Sequence, residues 1–222
     1  MPKEKSKVQQ AMDEIQASVR PFLKELGFRA RARAFNRATS DGLTQVIEFQ
    51  MGRFDPPGTY YIGIRKNVYG KFTVNVGVFV PELHEHSFPG KKLPFIHEYD
   101  CRIREGLGFL GPEQQDIWWE LEDVPRQAAD VFHRIERDAL PFLAKFESRE
   151  AILAQWIPGR STSEETDFGR FKRSREQFAC AIILLSQGRK DEAKSALRAS
   201  LEYQPDHPSS AHVRNMLAKL ES

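Results

Sequence analysis

The chain has 222 residues, 40% hydrophobic and 29% charged, with 33 Lys/Arg against 31 Asp/Glu for a net charge of +2. That supplies enough apolar material for a core without a metal or disulfide staple, and so balanced a charge excludes a chain that coats nucleic acid over its whole surface. Two distant cysteines, Cys101 and Cys180, exclude a disulfide scaffold.

Charge is nonetheless unevenly laid out. Residues 1–54 carry ten Lys/Arg against six Asp/Glu, and residues 111–157 carry five against ten. The start "MPKEKSKVQQ" lacks an apolar signal core, and the longest apolar run, "FACAIILL" at 178–185, is too short to span a bilayer. The expectation is a cytosolic protein with no membrane partner.

In chain order, Val8, Met12, Ile15, Val19, Leu23 and Leu26 recur at three- and four-residue spacing, which predicts a helix over 7–26, interrupted at Pro21 and stopped at Gly27. "FRARARAFNR" alternates, with alanines opposite Arg29, Arg31 and Arg33, and the phase slips after Ala34, as at a bulge. "SDG" at 40–42 then predicts a hairpin of strands 28–38 and 43–50. "DPPG" at 55–58 breaks the chain, and "TYYIGIRK" reads as a strand. In "KFTVNVGVFV", Phe72, Val74, Val76, Val78 and Val80 share one face of a strand. Residues 81–94 read as a charged Pro/Gly loop, and "DCRIRE" as a strand with Cys101 and Ile103 inward and Arg102 and Arg104 outward. A helix is predicted over 122–146, a linker over 158–169, and three helices over 170–187, 189–203 and 208–221.

The ordered stretches "PFLKELGFRARARAFNR", "VIEFQMGRF", "KFTVNVGVFVPE", "CRIREGLG", "DIWWEL" and "ALPFLAKFESREAILAQW" resemble the bacterial domain of unknown function 4304 family, over residues 8 to 157. The resemblance implies a single α+β domain and carries no agreed activity or cofactor. The segment "LLSQGRKDEAKSALRASLEYQPDHP" resembles a tetratricopeptide repeat, with Gly188 at the turn and Ala193 and Leu197 between helices. It departs from that pattern at Ser200, where a small apolar residue is usual. One repeat cannot form a solenoid alone.

Candidate chemistry is sparse. "GLGFLG" at 106–111 matches G-x-G-x-x-G literally, but Pro112 follows where a dinucleotide site needs an opening helix. His84, His86 and His97 with Glu82, Glu85 and Glu98 could ligate a divalent ion, but "HEH" lacks the spacing that puts two histidines on one helical face. No nucleophile, P-loop or paired acid and base stands out, so no catalytic residue, metal ligand or cofactor is assigned. Trp118 and Trp119 point to opposite faces if extended, one toward the core and one toward the surface, where tryptophan anchors interfaces.

The fold class is therefore α+β: an antiparallel sheet with helices packed on one face, plus a small C-terminal helical module. The expected polar sheet face gathers Arg29, Arg31, Arg33, Arg102 and Arg104 with Glu48, Gln50, Thr73 and Asn75. Besides a solvated face, the sharper reading is a non-enzymatic protein-binding module, immunity- or antitoxin-like in one version. Its binding set is Arg29, Arg31, Arg33, Arg102, Arg104 and Trp119. A metal-dependent hydrolase on the 81–98 loop and a nucleic-acid-binding module are the alternatives. For the latter, Phe35 is the sole stacking candidate on the arginine side.

Overall fold

A computed structural model describes residues 6–52, 67–156 and 167–221. "DPPG", the strand expected at 59–66 and most of the expected linker lie outside the described residues. Contacts gather into two compact units, Met1–Phe79 with Leu93–Ala144, and Val80–Lys92 with Lys145–Ser222.

In the first unit, helix α1 (Lys7–Glu25) starts in a capping box between Ser6 and Gln9. Met12, Ile15, Val19 and Leu23 are fully buried, each worth about 1.5–3 kcal/mol of burial. The helix ends as its sequence requires. Gly27 takes φ +86°, its N–H donates to the Lys24 carbonyl, and the Phe28 N–H reaches back to Leu23. This is a Schellman ending, closed by buried Phe28 and Leu23. Pro21 is accommodated inside the helix.

Five strands follow: β1 (Arg29–Arg31), β2 (Ala34–Ala38), β3 (Thr44–Met51), β4 (Phe72–Phe79) and β5 (Ile103–Gly106). They form one antiparallel meander in the order β1-β2-β3-β4-β5. The expected single strand 28–38 is thus two strands. The chain reverses at Ala32–Arg33, pairing Arg31 with Ala34 and Arg29 with Asn36. Ala32 takes φ +51°, at the first turn position where a type II′ hairpin demands a positive φ. The phase slip after Ala34 is this turn and not a bulge.

Register assigns the two faces. Phe35, Ile47, Phe49, Phe72, Val74, Val76, Val78 and Ile103 share the apolar face, and all are buried. Helices cover this face. Phe22 of α1 meets Phe132 at 4.7 Å between ring centroids. Phe132 belongs to α4 (Val124–Arg134), which runs on through a π-helical turn (Ile135–Ala139) into α5 (Leu140–Ala144). The π-turn ends two residues before Pro141, whose ring cannot sit over an α-helical carbonyl four residues back. Buried Gln45 joins the layers: its amide donates to the Leu143 carbonyl, and its oxygen accepts from Arg37.

The opposite face carries a second small core. Val46, Phe79 and Cys101 are packed with Leu93 and Ile96. Cys101 is buried as expected, but not beside Ile103. A 3-10 turn (Glu98–Asp100) breaks the alternation just ahead of it and delivers its side chain over Gly77. A Cβ on Gly77 would stand 2.7 Å from the Cys101 Cβ, so only glycine fits there.

The second unit is helical: α2 (Pro81–Ser87), α6 (Arg149–Trp156), α7 (Asp167–Ser186), α8 (Lys190–Tyr203) and α9 (Ser210–Glu221). The expected 81–94 loop is therefore helical in its first half, because a proline at the first helical position loses no hydrogen bond. The Glu82 carboxylate takes a two-pronged contact from Arg149, at 2.7 and 2.9 Å. Gly188 turns α7 into α8 with φ +76°. Buried Ser200 donates to the Ser174 carbonyl, and Ser174 donates to the Ser200 carbonyl, each at 2.9 Å. That reciprocal pair explains a hydroxyl where a small apolar side chain is usual.

Candidate functional site

The polar sheet face is built differently from the expected arginine row. Arg29, Asn36, Val46, Gly77 and Arg104 form one row across the five strands. Four strand-to-strand steps put its two arginines about 19 Å apart. Residues 93–101 lie over the middle. Asn36 pins them from both sides, donating to the Ile96 carbonyl at 2.9 Å and accepting from the Ile96 N–H at 3.0 Å.

Glu48 is the second pin. One oxygen contacts His97 Nδ1 at 2.8 Å, and the other accepts the Glu98 backbone N–H at 2.7 Å. The Asp100 carboxylate accepts from the His97 N–H. Both Glu48 oxygens thus serve to hold the segment. The Tyr99 ring stacks on His97 at 5.1 Å and 5°, and Tyr99 is 68% exposed at the crest. Arg104 lies 3.5 Å from the Glu98 carboxylate. Burial pushes the Glu98 carboxyl up from its usual range, against the pull of Arg104 and with the help of Glu48 and Glu105. The arrangement is a carboxylate-anchored ridge with a presented tyrosine.

The arginines divide into three groups. Arg29 and Arg31 are exposed on the edge strand β1 and make no ion pair among the described residues. Arg33 sits in the hairpin turn, where its carbonyl accepts the Phe49 N–H. It is therefore not in line with the other two. Arg102 and Arg104 are exposed at the far edge. Arg37 has a structural role: it donates to Gln45 and to the Leu26 carbonyl at the end of α1, and lies 4.5 Å over the Phe28 ring. Beside the β1–β2 turn, a cleft of about 620 Å³ is lined by Asp13, Gln16, Ala17, Arg20, Pro21, Lys24 and Ala32.

Trp119 is only 4% exposed. It exchanges both backbone hydrogen bonds with Phe72, stacks on that ring at 5.4 Å, and donates its indole N–H to Asp130. This places it in the core, with no accessible surface for an anchor. Phe35 is 1% exposed and cannot stack on a base. Tyr99, which sequence reasoning passed over, is an accessible aromatic of this face. Its only local signal was a position in a polar segment with no apolar periodicity.

The histidines and glutamates weighed as metal ligands each have other partners. His84 is buried with Nε2 at 3.1 Å from the Lys91 carbonyl, Glu82 is held by Arg149, and Glu85 accepts from the Gly90 N–H. His97 and Glu98 belong to the sheet-bearing unit, His84 and His86 to the helical one. Among the described residues, no three His, Cys, Asp or Glu side chains gather as metal ligands. "GLGFLG" ends β5 and forms the four-residue α3 (Leu107–Leu110). Its Gly108 is required because a Cβ would lie 2.3 Å from the Gln115 carbonyl oxygen. Among the described residues, no helix is long and apolar enough to cross a membrane.

A family model described as a domain of unknown function (DUF4304) matches residues 19–145. No curated protein matches the chain, and no solved structure does. The matched stretch covers more than half of the sequence and carries β1 to β5, the Glu48 ridge and α4, so the chain belongs to the DUF4304 family.

Proposed function

We propose that the protein is a non-enzymatic binding module that takes an acidic surface of a partner protein on the polar face of its sheet. The observation that carries this reading is the state of Arg29 and Arg31: exposed, on an edge strand, and without an ion pair among the described residues. Unpaired guanidinium groups offer two-pronged contacts to carboxylates. Tyr99 supplies the rigid aromatic surface that interfaces favour. Arg102 and Arg104 extend the positive rim at the opposite edge. The carboxylates of this face hold the ridge or lie beside Arg104: Glu48 and Asp100 hold His97 and Glu98, and Glu98 faces Arg104. The reading includes a cytosolic setting, and an immunity- or antitoxin-like role is one form of it.

The test compares wild-type protein with Arg29→Glu/Arg31→Glu and with Tyr99→Ala in affinity purification from native lysate at low and moderate salt. A stoichiometric protein partner held by the wild type and lost from both variants supports the proposal. A partner retained equally by all three, or nucleic acid recovered in place of protein, refutes it.

A further inference from the structure

In the helical unit, two histidines 126 residues apart in sequence meet at their ring tips. His86 on α2 and His212 on α9 have Nε2 atoms 3.3 Å apart. Their ring centroids are 5.4 Å apart at 55°. Phe178 of α7 stands edge-on to both, at 5.4 and 5.8 Å, and forms an apolar wall on one side. Both imidazoles thus aim the same nitrogen into one small space, flanked by a ring that cannot accept their protons.

That spacing has a second meaning. Two imidazole nitrogens at about 2.0–2.1 Å from one tetrahedral ion lie roughly 3.3–3.4 Å from each other. We infer that His86 and His212 form a two-histidine site for an imidazole-preferring divalent cation of the zinc, nickel or copper class. The ion replaces the single proton that the facing nitrogens otherwise share. With two protein ligands, its remaining positions are open to water or an exogenous ligand. Magnesium and calcium do not suit a site with no oxygen ligand. Of the histidines weighed on sequence only His86 takes part, because His84 and His97 are engaged elsewhere. No sequence spacing signals it, since its two ligands come from elements at opposite ends of the unit.

The experiment is a calorimetric titration of the full, untagged chain with zinc chloride in a non-coordinating buffer. His86→Gln and His212→Gln are titrated alongside, with circular dichroism to verify folding. One equivalent of zinc bound by the wild type and weakened at least tenfold in each variant is the expected result. Should a variant fail to fold, diethyl pyrocarbonate labelling of the wild type replaces it. Zinc then protects His86 and His212 while His133 and His207 label unchanged. No binding to the wild type, binding that both variants retain, or protection that spreads evenly over all histidines overturns the inference.

Discussion

Glu48→Ala tests how the ridge is held. The substitution removes the acceptor for His97 Nδ1 and for the Glu98 N–H, at 2.8 and 2.7 Å. A hydrogen bond to a charged group contributes about 1.5–3 kcal/mol. The His97 contact is discounted because its side chain is 36% exposed. The backbone contact keeps most of its value, since the Glu98 side chain is 15% exposed. The sum is about 2–3 kcal/mol of local stability, or a factor of roughly 30–150 in the opening equilibrium of the segment. Native-state hydrogen exchange reads this directly at the Glu98 amide, which has no other acceptor among the described residues. Its protection should fall by that factor, while amides in the centre of β4 change far less. Unchanged Glu98 protection would refute the account of Glu48 as the pin. An equal loss throughout the sheet would refute the ridge as a locally opening segment.

Two further outcomes follow from particular residues. Ala32→Gly should stabilise the protein by about 0.5–1 kcal/mol in urea denaturation, because glycine adopts the positive φ of the hairpin turn without the Cβ strain that alanine carries. A destabilised variant would mean that Ala32 is not held at +51°. Both thiols should resist alkylation at pH 8 in the native state and label fully in denaturant. Burial pushes Cys180 up to about 12 and Cys101 well above its ordinary value. The sign is that of an acid whose proton is held more tightly when folded: this contribution is intact below pH 9 and is lost as pH rises above it. Rapid native labelling of either cysteine, read by mass spectrometry, contradicts its placement.

Elements whose own residues carry the period were legible in the sequence. α1, β4 and the three C-terminal helices fall within a few residues of where hydrophobic spacing puts them. Gly27 and Gly188 also stop or turn the chain where expected. Features set by distant contacts were not legible. Nothing in "RARARA" marks a turn, since alanine is no turn former. The reversal at Ala32–Arg33 is fastened from outside, by Gln16 Nε2 donating to the Ala32 carbonyl at 3.5 Å and by the Phe49 N–H donating to Arg33. Residues 81–94 read as a loop from their proline, glycine and charge, although proline at the first helical position suits the helix that 81–87 form. The ridge joins Glu48 to His97 across 49 positions, so no local pattern could announce it. Arginine spacing predicted a continuous row, and only the sheet register showed that its members stand at opposite edges.

Residues 80–92 leave the sheet-bearing unit between β4 and β5 to join the helical one, and the chain crosses again after 144. The polypeptide therefore passes between the two units three times. No single cut separates them. A truncation that removes α7 deprives α2 of the helix it packs on, encoded far downstream. A shortened version limited to the 19–145 family segment would have to redesign the excursion between β4 and β5 before it could stand alone.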